Sequence, residues 1–187
     1  MTLLKGIPRI IPPRLLYVLA SMGHGDELVL ADANFPAASV AAADATNGNA
    51  ELIYCTALTV PELLEAICQL MPLDQDTEFP ATVMQVPPQD AGKVDTPVWD
   101  AYVKIINDAE HHQRDAPVQL AKIERFAFYE RAKKAYCVVA TGESDLYSNL
   151  ILTKGIVLVE PAVAGLTSSR QLYNRKKDGT SAGRYVF

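Results

Sequence analysis

Residues 22–36 read Met-Gly-His-Gly-Asp-Glu-Leu-Val-Leu-Ala-Asp-Ala-Asn-Phe-Pro, and the middle of that stretch decides the fold. Glu27 to Ala31 is short, apolar and partly β-branched, bounded by Gly25 on one side and by the polar Asp32 and Asn34 on the other. A strand with no polar alternation is covered on both faces, which is the habit of a sheet sandwiched between helices. Asp32 then closes the strand at its carboxyl end.

The flanking segments supply the helices. Pro12 and Pro13 open a run whose apolar residues Leu15, Leu16, Val18, Leu19 and Met22 recur at helical spacing, with Gly23 placed to cap it. Leu52 to Cys55 reads as a second buried strand. Thr59 and Glu62 form a capping box over Pro61, which predicts a helix from about 60 to 71. Thr82 to Val86 alternates as a strand, and Pro97 starts a helix carrying Val98, Tyr102, Ile105, Ile106 and Ala109 that frays near His111 and His112. From Arg125 the run RFAFYERAKKA is helical, with Glu130 and Lys134 spaced to pair, and strands are expected over Tyr136 to Thr141 and Leu150 to Leu152. Strands alternating with helices predict a single three-layer α/β/α domain over residues 1–160, with a central, largely parallel or mixed sheet. Segments 42–50, 87–96 and 111–117 read as connectors.

The chain has 187 residues, of which 49% are hydrophobic and 21% charged, with a formal net charge of −5. These values suit one globular domain and argue against disorder. A net negative field repels phosphate backbones, so nucleic acid is not expected as a partner. No apolar run approaches the roughly 20 residues that span a bilayer. Prolines 8, 12 and 13 also break the N-terminal segment as a signal peptide, so neither export nor a membrane partner is expected. Cys55, Cys68 and Cys137, an odd number set among apolar neighbours, read as buried free thiols of a reducing, cytoplasmic compartment. Residues 161–187 are locally basic, with Arg170, Arg175, Lys176, Lys177 and Arg184, and read as an extension or an oligomer contact.

Three polar clusters are candidates for chemistry. His24 stands between two glycines before the first strand, and an imidazole presented at such a bend exchanges protons near neutral pH. The alternative is a solvated loop histidine beside Asp26 and Glu27. A metal bound by those three residues matches no dedicated ligand spacing, and no metal is expected. Asp32, and Asn34 with it, lies beyond a strand's carboxyl end, where ligands collect in open α/β sheets. Five strand residues span about 16 Å, so His24 and Asp32 meet one small ligand only if the chain folds back or a second subunit contributes. Arg125 and Tyr129, at i and i+4 on one helix face, offer a guanidinium fork and a phenol suited to sugar hydroxyls. The competing reading makes Phe126, Phe128 and Tyr129 core aromatics. Tyr147 and Asn149, in the loop TGESDLYSN, fit a polyol through ring packing and an amide that both donates and accepts, although turn chemistry alone also explains Gly142, Ser144 and Asn149. The sequence contains no GxGxxG, GxxxxGK[ST], GxSxG or CxxC, so nucleotide cofactors, P-loop chemistry, the hydrolase elbow and zinc fingers have no support.

Taken together, MGHGDE, ADANFP, RFAFYERAKKA, VVATGE and the Tyr-x-Asn-x-x-Leu-x-Lys-Gly run from Tyr147 resemble the ribose-pyranase/fucose-mutarotase superfamily, in matching order from about Leu4 to Val159. RFAFYER and ADANFP look like its fucose branch. The resemblance implies a cofactor-free isomerase that interconverts the α and β anomers of L-fucose by general acid/base catalysis. It also implies a homo-oligomer whose sites are shared between neighbouring subunits. By motif, His24 is implied as the proton donor. Asp32, Arg125, Tyr129, Tyr147 and Asn149 are implied as sugar-binding residues, joined by Asp74 of the MPLD stretch and by Met84 in the pocket lining. Two departures stand out: Tyr54 to Ala57 (YCTA) replaces the family's Arg-Ala-Asp-Gly, and Ser148 replaces a common glycine. The alternatives are a mutarotase for ribose or another pyranose, and a sugar-binding regulatory protein without catalysis.

Overall fold

Six strands form one sheet: β1 (Glu27–Ala31), β2 (Glu51–Cys55), β3 (Ala81–Met84), β4 (Leu120–Ile123), β5 (Cys137–Thr141) and β6 (Leu150–Thr153). The computed structural model describes residues 3–43, 50–111 and 116–157. The strand order is β2-β5-β1-β6-β3-β4. β1 and β2 each pair parallel with β5, and β3 pairs parallel with β4. β6 runs antiparallel between β1 and β3. One edge of the sheet therefore gathers the carboxyl ends of β1 to β5 together with the amino end of β6. The opposite edge gathers the reverse set.

Helices α1 (Pro13–Ser21), α3 (Val60–Cys68) and α4 (Pro97–Glu110) cover one face, packing with Leu28, Leu30, Ile53, Val83, Val139 and Leu152. Helices α2 (Ala37–Ala41) and α5 (Arg125–Ala132) cover the other, with Val29, Ala31, Val138, Ala140 and Ile151. Alternate residues of β1 thus enter different cores, as the period of two requires, and the expected α/β/α layering stands.

Local signals act as their chemistry dictates, with several boundary corrections. The α3 capping box forms as predicted, Thr59 accepting from Glu62 N–H while the Glu62 carboxylate takes the Thr59 N–H at 2.8 Å. The helix stops at Cys68 rather than 71, because Pro72 disfavours helical backbone at Met71 and the chain tightens onto the Ile67 carbonyl. α1 ends at Ser21, and the expected glycine cap at Gly23 is not used. Met22 is extended there, and the left-handed glycine is Gly25, at φ 85°. β3 runs over 81–84 rather than 82–86, with all four residues buried, since its interior position exposes neither face. β5 starts one residue late, at Cys137, and β6 extends to Thr153. α5 stops at Ala132, and Glu130 pairs with Lys133 rather than with Lys134.

The short helix α2 and the edge strand β4 have no counterpart in the sequence reading. Of the expected connectors, 44–49 and 112–115 lie outside the described residues, and His112 with them. The chain divides into two compact units, Met1–Gly155 and Ile156–Phe187. All the named elements belong to the first, and the basic stretch 161–187 lies outside the described residues. The three cysteines are free, Cys55 and Cys137 buried and Cys68 half-buried. Burial pushes the thiols of Cys68 and Cys137 up to about 12.

Candidate functional site

The sheet sorts the candidate residues onto its two edges. At the edge where β1 begins, the bend 22–26 presents His24, whose side chain is 44% exposed and so within reach of a ligand. Its Nε2 lies 3.0 Å from Asp74 Oδ1. An ionised carboxylate only accepts, so Nε2 carries the proton and Nδ1 is the basic nitrogen. Asp74 also accepts the Asp76 N–H at 3.0 Å. The sequence reading takes Asp74 for a sugar contact and leaves its link to the imidazole unseen.

Lys154 builds the ground under this pair. Its ammonium donates to the carbonyls of Leu19 and Met22, both at 2.6 Å, satisfying the end of α1 that Gly23 does not cap. Its backbone exchanges hydrogen bonds with Gly25 and Asp26, and the next N–H, of Gly155, reaches the Pro72 carbonyl at 2.8 Å. Lys154 also forms a β-bridge with Leu73. Both strands of the bend that carries His24, and the segment that carries Asp74, are therefore hung on the end of β6. Burial lowers the Lys154 pKa, an effect that the Asp26 carboxylate opposes.

The two carboxylates next to His24 in sequence are engaged elsewhere. Asp26 accepts the Gly23 N–H at 2.6 Å, and Glu27 takes both Nε and a terminal nitrogen of Arg131, at 2.8 and 2.6 Å. Arg131 further donates to Thr82 at 2.9 Å and so clamps the end of α5 to the sheet. Among the described residues, the group of potential ligand atoms that does form is His24, Asp74 and Asp76, within 4.8 Å of one another.

At the opposite edge, Asp32 and Asn149 close on each other. Asn149 Nδ2 donates to Asp32 Oδ2 at 2.6 Å and its Oδ1 accepts the Asp32 N–H at 3.0 Å. Asp32 Oδ1 takes the Asn34 N–H at 2.9 Å. Burial raises the Asp32 pKa, while the donors Asn34, Asn149 and Phe35 oppose the rise. Tyr129 packs edge-on to Phe35 at 5.5 Å, and Tyr129, Tyr147 and the buried Met84 adjoin the same apolar cluster. Phe126 is exposed, not core, and carries the Arg125 guanidinium 4.8 Å above its ring. Arg125 opens α5 directly after β4, which sets it at this same edge.

Asp32, Met84, Arg125, Tyr129, Tyr147 and Asn149 thus gather at one edge and His24 with Asp74 at the other. The five residues of β1 separate them by about 16 Å. The supports Asp90, Trp99 and Tyr102 escape a reading by motif. Lys154 and Arg131 lie within the quoted motifs, yet what they support is not legible there. Each acts across a distance in sequence that periodicity does not see.

Comparison with known proteins follows the same lines. Residues 5–157 match the RbsD / FucU transport protein family. The chain belongs to that family. A human protein named fucose mutarotase is 51% identical over 162 residues, covering 86% of this chain and 99% of the relative. Among family structures, a fucose mutarotase from Streptococcus pneumoniae, solved in complex with L-fucose, is 44% identical with a TM-score of 0.70, covering 83% of this chain and all of that one. FucU from Bifidobacterium longum is 49% identical with a TM-score of 0.72, over 82% and 99% of the two chains.

Proposed function

We propose that this chain is a fucose mutarotase, an isomerase that interconverts the α and β anomers of L-fucose without a cofactor. The observation that carries the reading is the imidazole–carboxylate pair of His24 and Asp74 at an accessible bend. The names of the human and pneumococcal relatives supply the substrate class.

Mutarotation opens a cyclic hemiacetal and recloses it on the other face of the carbonyl. The ring oxygen must gain a proton while the anomeric hydroxyl loses one, and the reverse follows on closure. His24 exchanges the proton through Nδ1, and Asp74 fixes the ring and stabilises the imidazolium between transfers, a division of labour known from other imidazole–carboxylate pairs. Tyr129 or Tyr147 assists at the second oxygen, while Asp32, Arg125 and Asn149 orient hydroxyls and Met84 lines the pocket.

The two edges lie too far apart on one chain to grip one monosaccharide, which supports a homo-oligomer in which His24 of one subunit completes the Asp32–Asn149 pocket of the next. Exposed apolar side chains at the N-terminal segment, Leu3, Leu4, Ile10 and Tyr17, are of the kind buried between subunits. Three free thiols, those of Cys55 and Cys137 buried, support a cytoplasmic setting.

Saturation-transfer NMR on α- and β-L-fucose tests the reading. Wild-type protein should accelerate anomer exchange over buffer, and His24→Ala should lose about 10²- to 10⁴-fold, the usual share of a general acid/base group. Exchange at the buffer rate with wild type, or at the wild-type rate with His24→Ala, would falsify it.

A further inference from the structure

Tyr147 sits in left-handed backbone at φ 60°. A bulky side chain stays in that region only where its neighbours over-determine it. Three neighbours do so. Trp99 Nε1 donates to the Tyr147 carbonyl at 2.9 Å, and the buried Tyr102 hydroxyl donates to the Ser148 carbonyl at 2.7 Å. The Tyr147 hydroxyl itself donates to Asp90 Oδ2 at 2.6 Å. Asp90 ends the short 3-10 turn Pro88–Asp90, inside a segment that the sequence offers only as a connector.

A carboxylate has no hydrogen to give, so the single phenolic hydrogen is committed to Asp90 and the remaining lone pair of Oη points elsewhere. We infer that Asp90 is a positioning residue that fixes the Tyr147 phenol as a hydrogen-bond acceptor, so that the pocket selects a ligand hydroxyl able to donate at that point. This rests on the reading of Tyr147 as a sugar contact. The surrounding charges agree with a neutral phenol: the bond to Asp90 raises its pKa, partial burial adds to the rise, and Arg125 of α5 opposes it. Further charged residues are Lys93, whose backbone N–H donates to the Asp90 carbonyl at 3.0 Å, Lys122 of β4, whose ammonium lies 4.6 Å from the Trp99 ring centroid, and Glu143 and Asp145, which share a loop with Tyr147. Replacing Asp90 by Asn substitutes an amide that can donate to Oη and turn the phenol round.

A double-mutant cycle decides the matter. L-fucose affinity is measured by calorimetry for wild type, Asp90→Asn, Tyr147→Phe and the double variant. The Tyr147 titration is read at 295 nm as the difference from Tyr147→Phe. Each single variant is expected to bind about tenfold more weakly, the share of one charge-assisted hydrogen bond. The double variant should bind no worse than Tyr147→Phe, and in Asp90→Asn the phenol should ionise at lower pH. Should Asp90→Asn lower the melting midpoint, Asp90→Glu provides a second arm. It keeps the carboxylate, and affinity restored toward wild type supports the inference, whereas affinity as weak as that of Tyr147→Phe in a folded protein overturns it. Wild-type affinity in Asp90→Asn alongside weak binding by Tyr147→Phe overturns this inference alone, as does full additivity in the double variant. Wild-type affinity in Tyr147→Phe overturns it together with the site reading beneath it.

Discussion

Asp32 has both carboxylate oxygens and its own N–H bound to neighbours, while burial presses it toward the neutral form. Its folded pKa lies above 3.8 and the unfolded chain keeps about that value. Between the two, the folded protein holds the proton more tightly, so this residue's contribution to stability falls as pH rises through the interval. Asp32→Asn removes the titration and leaves one donor facing another at Asn149, which the wild type avoids. The expected outcome in urea unfolding is a variant whose deficit against wild type shrinks as pH climbs from about 4 toward neutrality. A deficit that stays constant or grows would show that burial does not dominate at Asp32. On the proposed reading of Asp32 as a sugar contact, L-fucose affinity should be lower in Asp32→Asn at every pH, because the amide offers one acceptor oxygen where the carboxylate offers two.

Among the elements, α3 and β4 show what a sequence discloses and what it hides. The interior strands were legible because burial on both faces leaves unbroken apolar runs, and α3 because a capping box is written within four residues. The edge strand β4, only half-buried, has no such run, and the five-residue α2 is too short to display a period. The candidate residues were legible through family motifs, yet their partnerships were not. His24 meets Asp74 across 50 positions, and Tyr147 meets Asp90 across 57. Such pairings depend on the order of strands rather than on local spacing.

Gly155 illustrates the same dependence. A Cβ there would stand 2.4 Å from the Leu73 carbonyl oxygen and 2.9 Å from Asp74 Cα. Backbone must give way, so Gly155→Ala is expected to cost about 1–3 kcal/mol in chemical denaturation. By moving Asp74 it should also slow anomer exchange by tenfold or more, as a displacement of about 1 Å at a catalytic group can cost a hundredfold. An unchanged exchange rate would mean that Asp74 does not need its present position.

For the molecule as a whole, the partition of candidate groups between two sheet edges makes a quantitative demand on assembly. If each pocket joins His24 of one chain to Asn149 of the next, then His24→Ala and Asn149→Ala chains, each inactive alone, rebuild some intact pockets when co-expressed. Random pairing leaves about one pocket in four whole, so roughly a quarter of the wild-type exchange rate should return. Recovery no greater than that of either parent would confine each pocket to one chain. β6 gives this arrangement its geometry, since Asn149 precedes and Lys154 follows the same four-residue strand. That strand works as a ruler: inserting or deleting a residue within it would shear both half-pockets at once, with no loop to absorb the change. Adapting such a protein to sugars of other sizes is therefore open through the loops that flank the strand, and closed through the strand itself.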